Sequence, residues 1–137
     1  MTRTRPLLAI IGAGAAALAG CAPEERVPSG HALYGQHCAA CHGADGRGDA
    51  QVARALAVEM PDLGTLSARA GGTFPLVAVM SKVDGYARGV GGGGSQMPEL
   101  GHLLDGPLVR VDTGDGRMTP TPAKLVAIAE YLRTLQR

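Results

Sequence analysis

The clearest hydrophobic pattern lies near the C-terminus, in TPAKLVAIAEYLRTLQ. Leu125, Ile128, Ala129, Leu132 and Leu135 recur at three- and four-residue intervals, with Lys124, Glu130 and Arg133 between them. That spacing lines one face of an α-helix and leaves the charges on the other. Thr121 is placed to cap this helix and Pro122 to take its first position. A second helix is expected from Gly30 to about Cys38, capped by Ser29, with Leu33, Tyr34 and His37 or Cys38 at helical spacing. Ala50 to Val58 predicts a short helix stopped by Pro61, and Asp62 to Gly72 a helical turn. Phe74 to Lys82 has helical periodicity after Pro75. Leu108-Val109-Arg110-Val111 followed by Thr113-Gly114-Asp115-Gly116 predicts a small hairpin. Gly43 to Asp49 and the stretch from Tyr86 to Gln96, with five glycines, are loops by composition. The expected fold is mainly α: three to five short helices and one small β-hairpin before the last of them.

The first twenty residues stand outside this pattern. Arg3 and Arg5 precede an uncharged run from Leu7 to Ala19. The run is shorter than the about 20 apolar residues needed to span a bilayer, and it suits the core of an export signal. Leu18-Ala19-Gly20-Cys21 resembles the lipobox of bacterial lipoproteins. That resemblance implies removal of residues 1–20 and a mature chain beginning at lipidated Cys21. Residues 21–29 would form a tether and 30–137 the working domain. The expected location is the periplasmic side, anchored to the inner or outer membrane by several acyl chains, since one alone binds only marginally. A signal cleaved near Ala22, leaving a soluble protein, is the rival reading.

Charge excludes one class of partner. The formal net charge of +1 turns slightly negative once Arg3 and Arg5 are removed. No basic stripe or aromatic platform exists for nucleic acid. With three Tyr, one Phe and no Trp in 137 residues, the chain has few large side chains around which to build a core. A planar cofactor at the centre would fill that space.

The candidate chemistry is concentrated in HCAACHGADGRGD, residues 37–49. With Cys21 assigned to lipid, Cys38 and Cys41 are the remaining pair, and His42 follows at once. A structural zinc needs four ligands, and no second Cys or His pair accompanies these three. A thioredoxin-like dithiol belongs at a strand-to-helix junction in a βαβ pattern, which is not found here. Covalent haem attachment suits each feature: two thiols for two thioethers and an adjoining imidazole for the iron. Small residues between them leave room for the porphyrin edge, and the glycines after them allow a close backbone turn.

SGHALYGQHCAACHGADGRGD resembles the opening of a class I cytochrome c, and TPAKLVAIAEYLRTLQ resembles that family's C-terminal helix. The likeness covers most of residues 29–137 and is weakest from Ser81 to Gly116. It implies a small fold around one covalent haem c, with the two end helices packed across each other and iron between His42 and a methionine. A soft thioether raises the reduction potential. Met97, in Gln96-Met97-Pro98, is the favoured sixth ligand and Met118 the alternative. Met60 lies too close to the motif, and Met80 sits in an apolar helical stretch as a core residue. His102 would serve only in bis-histidine ligation. The resemblance also gives Pro61 a part, its carbonyl accepting from the ring N–H of His42 and so orienting the ligand.

The function this implies is single-electron transfer, without catalysis, by a monomer that docks briefly with redox proteins in or at the membrane. Two alternatives change the partner or the chemistry: a dedicated cytochrome subunit of a larger oxidoreductase, or a peroxidase-like or gas-binding protein with an open sixth site. The open site would want a polar distal residue, for which Gln96 and His102 are at hand.

Overall fold

The computed structural model describes residues 26–86 and 97–137. Residues 1–25, with the expected signal and Cys21, lie outside that range, as does most of the glycine-rich loop before Met97. Among the described residues the chain forms six short α-helices and one hairpin. In order these are α1 (Gly30–His37), α2 (Ala39–His42), α3 (Ala50–Leu56), α4 (Leu66–Arg69), α5 (Leu76–Asp84), β1 (Leu108–Asp112), β2 (Met118–Pro122) and α6 (Ala123–Thr134). The mainly α reading and the hairpin before the last helix both hold. The helix count exceeds the expected range because the cysteine motif has a turn of its own, α2. No described helix is long and apolar enough to cross a membrane.

Packing of α1 across α6 builds the core. Ser29 caps α1 as expected, its hydroxyl accepting from the N–H of Ala32 at 3.2 Å. The helix buries Leu33 and Tyr34 against Leu125, Ile128, Ala129 and Leu132 of α6. Ile128 and Ala129 are fully buried, at 0% exposure. Gly30 makes the close crossing possible. A Cβ there would overlap the carbonyl of Ala127 and lie 2.8 Å from the Cβ of Tyr131. The rings of Tyr34 and Tyr131 meet at 5.2 Å between centroids, and His31 meets Tyr131 edge-on at 5.3 Å. Helix α5 adds Val79, Met80 and Val83, so Met80 is a core residue as its periodicity implied.

Two boundaries differ from the sequence reading. Thr121 is not the cap of α6, and Pro122 is not its first residue. Strand β2 runs straight into the helix: Thr121 is buried in the ladder opposite Val109, and its hydroxyl donates to the carbonyl of Thr119. Pro122 occupies the cap position, and the N–H of Ala123 donates to the carbonyl of Pro107. Helix α3 ends at Leu56 rather than at Val58. Ala57 turns left-handed (φ 50°), and the N–H of Val58 reaches back to Ala53. That turn closes the helix before Pro61 can act.

Gly30→Ala tests the helix crossing. The methyl group must push α1 off α6, and overpacking of this kind costs about 1–3 kcal/mol. Denaturant unfolding of the variant beside the parent protein is expected to show a loss in that range, with an unchanged slope.

Candidate haem site

The cysteine motif gains its geometry from one helical turn. Cys38 breaks α1 with φ −121° and starts α2. Its carbonyl accepts the N–H of Cys41 at 3.1 Å and of His42 at 2.9 Å. Residues three and four apart on a turn share a face, so both thiols and the imidazole project from the same side. The sequence reading placed the motif at the end of α1 and did not separate this turn from it.

The electrostatics distinguish the three chemistries. Cys38 is 6% exposed, and burial, with Cys41 adding to it, pushes its thiol up to about 11. A catalytic redox dithiol needs the opposite shift, because the thiolate is its nucleophile. Among the described residues no group of three or more His, Cys, Asp and Glu side chains is arranged to hold a metal ion, as a protein-only zinc site would require. Burial also holds His42 below the ordinary imidazole range, so its ring is neutral at pH 7, the form that binds metals. Its Nδ1 atom is buried without a hydrogen-bond partner. The ring is therefore not committed to a structural bond within the protein. A buried, protonated Cys38 thiol, the Cys41 thiol and an uncommitted neutral imidazole on one turn fit a covalently attached haem.

Behind the turn, the loop from Gly43 to Asp49 is tied at both ends. The N–H of Gly48 donates to the carbonyl of His42 at 2.8 Å, and that of Asp49 to Cys41 at 3.0 Å. Gly48 adopts φ 89°, and a Cβ there would stand 2.9 Å from the Cβ of Met60. Tyr34, buried in the α1–α6 crossing, donates its phenol to the carbonyl of Gly43 at 2.6 Å. It thus fixes the residue that follows His42. The helical spacing of Tyr34 marked it as a core residue, but nothing in the sequence showed this second contact.

The other sequence candidates are spread through the fold. Met97 is half-buried and packs against the central cluster. Met118 is 51% exposed, at the start of β2 opposite Asp112. Met60 is half-buried beside Gly48. His102 is exposed, on a 3-10 turn over Gly101–Leu103. Pro61 is exposed, and its carbonyl does not receive a hydrogen bond from His42 Nδ1.

The family model for cytochrome c matches residues 27–136. The chain belongs to the cytochrome c family. Its cofactor is accordingly a covalently bound haem c with iron, and the family generally transfers electrons rather than catalysing reactions. No curated protein matches the chain. The matched segment of this cytochrome c includes both end helices and the cysteine motif, the stretches whose sequence carried the resemblance.

Tyr34 supplies a test of the packing behind the motif. Burial, reinforced by Cys38, Tyr131 and Asp45, raises its phenol from 10.0 to about 12. A group whose folded value is raised stabilises the fold fully below the unfolded value, and that contribution is lost as pH climbs through the folded value. Stability of the parent protein should therefore fall between about pH 10 and 12. In Tyr34→Phe the alkaline loss should be smaller, while stability at pH 7 is lower because the Gly43 carbonyl loses its donor. Thermal unfolding against pH measures both.

Proposed function

We propose that this cytochrome c is a one-electron carrier whose single haem would be joined by thioethers to Cys38 and Cys41, with His42 and Met97 as the residues that would hold its iron. The observation that carries the reading is the turn that projects both thiols and the neutral imidazole from one face. When bound, the haem supplies a reversible Fe(II)/Fe(III) couple, which a thioether opposite imidazole biases towards Fe(II). The chain's own part is to attach, orient and shield. Cys38 and Cys41 fix the porphyrin edge, and the backbone bond from Gly48 holds the peptide of His42.

Two features support Met97 over Met118. Met97 is half-buried against Leu100-containing core packing, whereas the Met118 side chain stands at the outer end of the hairpin. With iron held by His42 and Met97, no position would be open for substrate, which fits carriage rather than catalysis. The lipobox-like sequence ending at Cys21 supports confinement to a membrane surface on the periplasmic side. Tethering there would raise the effective concentration of the carrier near membrane-bound redox proteins.

Oxidised and reduced absorption spectra of the parent protein, Met97→Ala and Met118→Ala test the ligand set. Only Met97→Ala is expected to lose the thioether-to-iron band. Its loss in Met118→Ala, or its persistence in both, contradicts the assignment. Fractionation of cells producing Cys21→Ala tests the anchor. The variant should move from the membrane to the soluble fraction, and retention at the membrane would contradict lipidation at this residue.

A further inference from the structure

The segment from Asp62 to Ser67 has regular structure only in a 3-10 turn over Leu63–Thr65 and the start of α4. Three of its backbone groups and one carboxylate are instead satisfied by two consecutive residues beyond α6. The Oε1 atom of Gln136 accepts the N–H of Ser67 at 2.8 Å, and its Nε2 donates to the carbonyls of Leu63 at 2.8 Å and Leu132 at 2.7 Å. The N–H of Arg137 donates to the carbonyl of Gly64 at 3.0 Å. The guanidinium of Arg137 pairs with both carboxylate oxygens of Asp62, and Asp62 also accepts the N–H of Gly64 at 2.8 Å. The fit is close: a Cβ on Gly64 would collide with that guanidinium.

This held segment bears in turn on the loop behind His42. The N–H of Leu63 donates to the carbonyl of Gly46 at 2.7 Å, and Gly48, whose N–H bonds the carbonyl of His42, leaves no room for a Cβ beside Met60. A continuous path therefore runs from Gln136 and Arg137 through Leu63 and Gly46–Gly48 to His42. The ring of His42 has no hydrogen bond at Nδ1. The loop bonds the peptide of His42 directly, and this is the link by which the held segment reaches the ring.

We infer that Gln136 and Arg137 are positioning residues for the proximal ligand, acting through the Asp62–Ser67 segment to fix the plane of the His42 ring. The inference rests on the assignment of His42 as an iron ligand. Its consequence is that two residues outside the motif influence the haem's electronic state without touching it.

The test uses the full holoprotein with Gln136→Ala and Arg137→Gln, and Arg117→Gln as a control of equal charge change on the exposed hairpin turn. Amide hydrogen exchange in the reduced protein is expected to speed up at Leu63 and Gly48 by about tenfold, the equivalent of one lost hydrogen bond. In the oxidised form the low-spin g-values, which report the angle of the ligand plane, should shift, and the reduction potential should move with them. The control should match the parent protein in all three. Faster exchange with unchanged g-values and potential would make the contacts structural only and overturn the inference. If Gln136→Ala does not fold, Gln136→Glu carries the same test, since it keeps the acceptor for Ser67 and loses the donor to Leu63. The parent spectrum separates the two claims: if His42 is not an iron ligand, the parent protein itself lacks the low-spin signal.

Discussion

One backbone oxygen organises the candidate site. The carbonyl of Cys38 accepts the N–H groups of Cys41 and His42, and this single turn brings three separate side chains to a common face. An extended motif would alternate them across two faces, and no planar group could meet all three. The break at Cys38 is as important as the turn. It ends α1 early enough for Leu33 and Tyr34 to stay in the helical core while the next residues form the separate turn α2.

The surrounding architecture holds that turn still. Helix α1 is seated against α6 through the missing side chain of Gly30 and the contact between Tyr34 and Tyr131. Tyr34 does two jobs at once, filling the crossing with its ring and holding the carbonyl of Gly43 with its hydroxyl. A chain with few aromatic residues thus spends two of them where the core meets the motif. The remaining core is aliphatic, with Leu104 and Ile128 among the largest fully buried side chains. Burial of this kind contributes roughly 1.5–3 kcal/mol per side chain, and here it positions a site as well as stabilising a fold.

Much of this was legible in the chain itself. Ser29 declared the start of α1, the three- and four-residue spacing declared α6, and the glycine-containing turn declared the hairpin. These signals are local, and nearby contacts decide them. The errors also share a cause. Thr121 has the side chain of a helix cap, but pairing with Val109 across the hairpin claimed its backbone first. Ala57 gives no sign of a left-handed turn, since the bonds that close α3 come from the backbone. Gln136, Arg137 and Asp62 lie up to 75 residues apart, and no periodicity links them. The cysteine motif was fully legible as chemistry and only partly as structure. Its spacing named the three donors, whereas their burial, which keeps Cys38 protonated and His42 neutral, emerged only when the chain was folded around them.

The account stands on covalent attachment of a haem through Cys38 and Cys41. Acid–acetone extraction of the purified mature protein, followed by intact mass measurement and thiol titration, tests it most directly. The pigment should remain with the polypeptide, the mass should include one covalently bound haem, and neither Cys38 nor Cys41 should react as a free thiol. Pigment that passes into the acetone, or two titratable thiols at these positions, would contradict it.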